Sequence, residues 1–232
     1  GQLGKLQRSA APEERRAWLR RHRRAVQGLL ARTAAGLPRC DPRALASIAH
    51  GVARCSVMGD EARDLFEDLA DFAQHRLKHF SPQDMSNTVW AFAVARAPAP
   101  GLFQAVAKAA PRRLQDFTPQ HTANTLCAFA SVRAPAPRLF EAVARTAPLG
   151  IENFNAQDLA NTARAFALAE APAPGLLPAL AAAAPARLRD FAPQDMADMA
   201  MAFACLLRGP RLHRSARRQG QRSAGAVVPT EP

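Results

Sequence analysis

Phe80-Ser81-Pro82-Gln83-Asp84-Met85-Ser86-Asn87-Thr88-Val89-Trp90-Ala91-Phe92 reads as a helix start followed by a helix, and the chain writes it four times. The stretch returns from Phe117, Phe154 and Phe191, and every step is 37 residues, since 117−80, 154−117 and 191−154 are equal. A fixed period of about 20–50 residues marks one supersecondary unit stacked on copies of itself, because a single unit has an apolar face that it cannot bury alone. The fold expected is all-α: a right-handed α-solenoid of helix-turn-helix repeats with a 37-residue period, an armadillo/TPR-like superhelix. Function should then lie along an extended surface.

Ser81 can cap the first free N–H groups of the second helix of each pair. Pro82 fits the first helical position, and Asp84 stands in the capping-box place at the positive helix end. Met85, Val89, Phe92 and Ala95 fall on one face, and Arg96-Ala97-Pro98-Ala99-Pro100 stops the helix, because proline removes a donor and clashes with the preceding turn. The first helix of the next pair follows, with Leu102, Phe103, Val106 and Ala110 as its stripe. Pro111, Pro148 and Pro185 recur in register and predict a kinked element leading by a short turn to Asp116-Phe117.

Asp41-Pro42-Arg43-Ala44-Leu45 resembles the same start three residues out of period, so the first unit is degenerate. Pro12-Glu13-Glu14 opens a further helix bearing Trp18, Leu19, Val26, Leu29 and Leu30. The expected organisation is a basic N-terminal cap over 1–37, an array of about four units over 38–207, and a basic, disordered tail over 208–232.

The formal net charge is +12 over 232 residues, but it sits at the ends. Residues 1–42 hold ten Lys+Arg against three acids, 208–232 hold six against one, and the body between holds fifteen of each. Sequence-independent phosphate attraction would therefore come mainly from the ends, Arg217 and Arg218 included, unless cations segregate onto one face.

Cys40, Cys55, Cys127 and Cys205 show no C-x-x-C spacing, and the six histidines form no cluster, so neither a metal site nor a disulfide framework is expected. Nucleotide-binding, hydrolase and metalloprotease signatures do not occur, so no enzyme and no cofactor are expected. No apolar run approaches the roughly 20 residues of a membrane span. The chain opens at Gly1, which reads as a processed form or a fragment. Its Arg-rich residues 5–33 have transit-peptide character, although Glu13 and Glu14 at a good helix start fit a folded cap better.

The recurring Phe-[Ser/Thr/Asn/Ala]-[Pro/Ala]-Gln-[Asp/His]-x-[Ser/Ala]-Asn-Thr-x-x-Ala-Phe-Ala, followed by Ala-Pro-x-Leu-[Phe/Leu], resembles octotricopeptide repeats of algal organelle proteins over about residues 38–207. Its period is closer to the heptatricopeptide repeats of protist organelles, and it is similar to helical repeats in subunits of RNA-editing substrate-binding complexes. The resemblance implies an α-solenoid that binds single-stranded RNA in a mitochondrion or plastid, alongside other subunits of a ribonucleoprotein complex. The nuclease-like domain that ends some members is absent from these residues, so cleavage is not carried over.

Gln83, Asn87, Trp90 and Val94 share one helix face, roughly opposite the Met85/Val89/Phe92 stripe. The candidate RNA-contacting residues are these first three with Gln120, Asn124, Cys127, Gln157, Asn161, Arg164, Gln194 and Met201. Trp90, Cys127, Arg164 and Met201 are one variable position in a constant frame, which suits reading one base per unit by stacking or hydrogen bonding. Two other readings stand beside it: the asparagines as a hydrogen-bond ladder between units, and the variable position as packing. Arg96, Arg133, Arg112, Arg113, Arg187 and Arg189 are the candidate phosphate contacts. The alternative function is a protein-interaction scaffold of armadillo type, with dispersed cations and an apolar groove.

Overall fold

The computed structural model describes residues 12–55 and 59–207, and among them every regular element is a helix. The N-terminal segment holds two helices where one was expected: α1 (Pro12–Arg21) and α2 (Arg23–Gly36). The break is His22, whose ψ of 19° leaves helical values while its ring stacks on Trp18 at 4.2 Å between centroids. Val26 and Leu30 pack onto the core, whereas Leu29 faces solvent.

From there the elements alternate: α3 (Pro42–Cys55), α4 (Asp60–Arg76), α5 (Pro82–Ala95), α6 (Pro100–Ala109), α7 (Pro119–Ser131), α8 (Pro137–Thr146), α9 (Ala156–Leu168), α10 (Leu176–Ala183) and α11 (Pro193–Leu207). The starts are made by the residues the sequence marks. Ser81 Oγ accepts the Asp84 N–H at 3.2 Å and Asp84 Oδ2 accepts the Ser81 N–H at 3.0 Å; Thr118 with His121 and Asn155 with Asp158 repeat the box. The stops are left-handed residues: Arg96, Arg133 and Glu170 sit at φ 52°, 54° and 49°, a conformation that glycine adopts without strain. Pro111, Pro148 and Pro185 do not bend a continuous helix. They lie in 3-10 turns, Ala110–Asp116, Ala147–Asn153 and Pro185–Asp190, which lead into the next helix start.

Two layers result. Helices α3, α5, α7, α9 and α11 pack successively side by side, and α2, α4, α6 and α8 form a second, looser row. Aromatic pairs tie the layers: Phe66 with Phe92, Phe103 with Phe129, and Phe140 with Phe166, all edge-to-face at 5.0, 5.0 and 5.1 Å. Met85, Val89 and Phe92 are fully buried beside Leu102, Phe103, Val106 and Ala110, as their spacing predicts.

Arginines fasten consecutive turns. Arg76 donates to the Cys40 and Pro38 carbonyls at 2.6 and 2.8 Å, Arg113 to the Phe80 carbonyl at 2.8 Å, and Arg187 to the Glu152 carbonyl. One turn lacks this residue: 37 positions after Arg113 and 37 before Arg187 stands Gly150.

At the last described helix the apolar stripe is left open. Met196 is 46% exposed where its counterparts Met85 and Leu159 are 0%, and Met201 is 68% exposed. Phe203 is half-buried; the Leu206 side chain and the expected tail over 208–232 lie outside the described residues, as do residues 1–11.

Candidate nucleic-acid interface

The variable position lies along the row made by α3, α5, α7, α9 and α11, and its members touch in two pairs, His50 with Trp90 and Cys127 with Arg164. His50, which the Pro42/Pro82 register aligns with Trp90, faces the Trp90 ring at 4.9 Å and a 34° tilt. Burial, helped by the nearby Arg54 guanidinium, pushes the His50 pKa below its ordinary value. An imidazole held neutral beside an indole extends one aromatic surface across two helices.

At Cys127 the variable position takes the packing alternative. It is buried, its S–H donates to the Asn161 carbonyl at 3.1 Å, and burial pushes its pKa up to about 11. A neutral thiol under the surface packs between helices and does not project outward. Above it lies Arg164, with Nη2 3.6 Å from Cys127 Sγ and Nε 3.5 Å from Asp198 Oδ2. The Nε–H is not aligned for a hydrogen bond, so this contact is electrostatic; both side chains are partly exposed, which limits its worth to about 1 kcal/mol or less. Met201, the fourth member, is the most exposed.

A cleft of about 740 Å³ opens between α5 and α7, lined by Trp90, Val94, Arg96, Cys127, Ser131 and Arg164 among others. It brings together an aromatic ring, two guanidiniums and a hydroxyl. Asn87, Asn124 and Asn161 are half-buried one turn earlier, and among the described residues no protein group bonds to their amides. The asparagine ladder between units is therefore not formed. Neighbouring helices are joined instead by Ser86 Oγ, which donates to the His121 carbonyl at 3.2 Å, and by Cys127. Gln83, Gln120 and Gln157 are exposed, while Gln194 donates to Asp198 Oδ1 at 3.1 Å.

The candidate phosphate contacts separate. Arg96 lines the cleft with Trp90. Arg112 and Arg189 are exposed. Arg113 and Arg187 are half-buried and engaged on backbone carbonyls, which makes them fastenings between units first. Arg133 faces a different cleft of about 1190 Å³, walled by Phe129, Pro135, Phe140, Glu141 and Leu168 on the loop edge between the α7–α8 and α9–α10 connections. The cations thus do not form one stripe.

His50 and Asp198 were not singled out from the sequence. Both were legible in register: His50 through the offset first unit, and Asp198 as the residue that stands where Asn87, Asn124 and Asn161 stand in the other units. Among the described residues no group of histidine, cysteine and acidic side chains is placed to hold a metal ion, and no helix is long and apolar enough to cross a membrane.

The arrangement can stack planar heteroaromatic rings on Trp90 and Arg164 and offer free amides and a cation beside them. No curated protein matches the chain. The family described as the RNA-editing substrate-binding complex 6 protein matches residues 18–208, which is most of the chain and includes every helix from α2 to α11. The chain is thus a member of the RNA-editing substrate-binding complex 6 protein family.

Proposed function

We propose that this chain binds single-stranded RNA along the row of α3, α5, α7, α9 and α11 and serves in organellar RNA metabolism as one subunit of a ribonucleoprotein complex. The observation that carries the reading is the cleft in which Trp90, Arg96 and Arg164 converge, next to asparagine amides that no protein group uses. Unpaired bases bind by stacking on aromatic and guanidinium planes and by hydrogen bonds to their edges, and phosphates by arginine. The family's name, an RNA-editing substrate-binding complex, fits that chemistry. On this reading the pairs form a right-handed superhelix of octotricopeptide or heptatricopeptide type with a 37-residue period, acting in a mitochondrion or plastid without catalysis or cofactor.

The test is binding to a panel of single-stranded RNAs at two salt concentrations. Arg164→Ala should weaken binding by about 1–3 kcal/mol and relax preference at one nucleotide. Changing Arg217 and Arg218 should lower affinity for every sequence alike and flatten the salt dependence. An Arg164→Ala protein that stays folded and binds as before would refute the reading surface.

The 1190 Å³ loop-edge cleft, with its phenylalanine and proline walls, favours a second reading, an armadillo-type scaffold that holds a peptide of another subunit. Retention of a protein partner with no RNA affinity would select it.

A further inference from the structure

Arg164 and Trp90 belong to helices two units apart, α9 and α5, yet both side chains line the one cleft between α5 and α7. The residue that should separate them is Cys127. It is small and buried, so the variable position of α7 puts no bulky side chain between indole and guanidinium. The Arg164 guanidinium reaches back over α7, with Nη2 3.6 Å from the Cys127 sulfur, while Asp198 lies on its other side, 3.5 Å from Nε. The cleft volume of about 740 Å³ falls within the roughly 300–1,000 Å³ that small-molecule sites occupy. Arg96 lines the same cleft, where the chain leaves α5 at its left-handed stop.

Resting on the RNA-binding reading above, we infer that Trp90 and Arg164 clamp one and the same base, the indole on one face and the guanidinium on the other. Cys127 is the floor of the slot, and Arg96 takes the phosphate of that nucleotide. The ligand class is a single unstacked nucleotide of an RNA strand. This part of the array does not read one base per unit: two variable positions two units apart act as one. A bulky residue at the Cys127 position would have kept them separate; the small thiol merges them. Asp198 is a positioning residue, since it reaches the base only through Arg164.

The experiment uses the full chain and the tightest single-stranded RNA recovered from a random-sequence pool, resynthesised with an abasic ribose at each position in turn. In the unaltered protein one abasic position should cost the most affinity. Trp90→Ala and Arg164→Ala should each weaken binding of the intact RNA about ten- to hundredfold, and each should abolish sensitivity at that same position. The double variant should bind scarcely worse than either single one, because the two groups share one base. If the two variants lose sensitivity at different positions and their effects multiply, the clamp is wrong while RNA binding stands. If the pool yields no RNA that binds, both the clamp and the reading beneath it fall. Should Trp90→Ala not fold, Trp18→Phe leaves Trp90 as the sole indole: its fluorescence should drop when RNA is added, and the abasic site should remove the drop. An unchanged Trp90 signal on saturation with intact RNA would overturn the clamp.

Discussion

At Arg96 a single backbone angle links stability to binding. With φ at 52° this residue holds a conformation that costs a side-chain-bearing residue about 1 kcal/mol and glycine almost nothing. Arg96→Gly should therefore raise stability by about 0.5–1 kcal/mol in chemical denaturation while weakening RNA binding and reducing its salt dependence. A variant gaining stability with no change in binding would show that the side chain has no contact with phosphate. Cys127 can be checked as directly. Its thiol, buried and with a pKa near about 11, should react with a thiol reagent at mildly alkaline pH orders of magnitude more slowly than the exposed Cys205. The residue scale is where the sequence was least informative. Spacing placed Trp90, Cys127 and Arg164 on one face, but it does not say that the middle one sinks beneath the surface or that the third leans across it. Those outcomes follow from side-chain volume and from Asp198, and they emerge only once the helices are set side by side.

Helix starts were the most legible elements, because a cap is a local agreement between residues three positions apart. One of them carries a titration. In α7 the capping-box place of Asp84 and Asp158 is taken by His121, whose Nδ1 accepts the Thr118 N–H at 3.4 Å. Burial lowers its pKa below the ordinary 6.5. The folded state thus prefers the neutral ring. The stability this site contributes is whole above about pH 6.5 and is lost as pH falls from there through the lowered folded value. His121→Asp should stabilise the protein near neutral pH by about 0.3–1 kcal/mol through the helix dipole and remove that part of the acid-side loss. Thermal melts of both proteins from neutral to mildly acidic pH check it; parallel declines would refute it. The N-terminal helix was less legible. Its apolar residues run from Trp18 to Leu30, and the break at His22 is a change of backbone angle, to φ −105° and ψ 19°, that their spacing does not encode.

Across the whole molecule the order of elements and the layers follow from the period, since units that repeat must stack. What the period does not state is how firmly each joint is made. At one end, α11 presents Met196 and Met201 with no further helix against them among the described residues. Met196→Gln with Met201→Lys should lower any concentration-dependent self-association seen by sedimentation without unfolding the chain, and unchanged association would place the contact elsewhere. Within the array, Gly150 leaves the turn before α9 without the arginine that Arg76, Arg113 and Arg187 supply elsewhere. A Cβ there would meet only Asn153 Nδ2 at 3.6 Å, and φ of −138° suits any residue. Gly150→Arg should form the bond to the Phe117 carbonyl and stabilise the protein by about 0.5–1.5 kcal/mol. In a linear chain of nearest-neighbour couplings, one weak link sets where cooperativity breaks. Hydrogen exchange should then show α9 to α11 opening as a block of its own, ahead of α3 to α7, so that the molecule melts as two short arrays joined at a hinge; with Gly150→Arg the two blocks should merge toward a single transition.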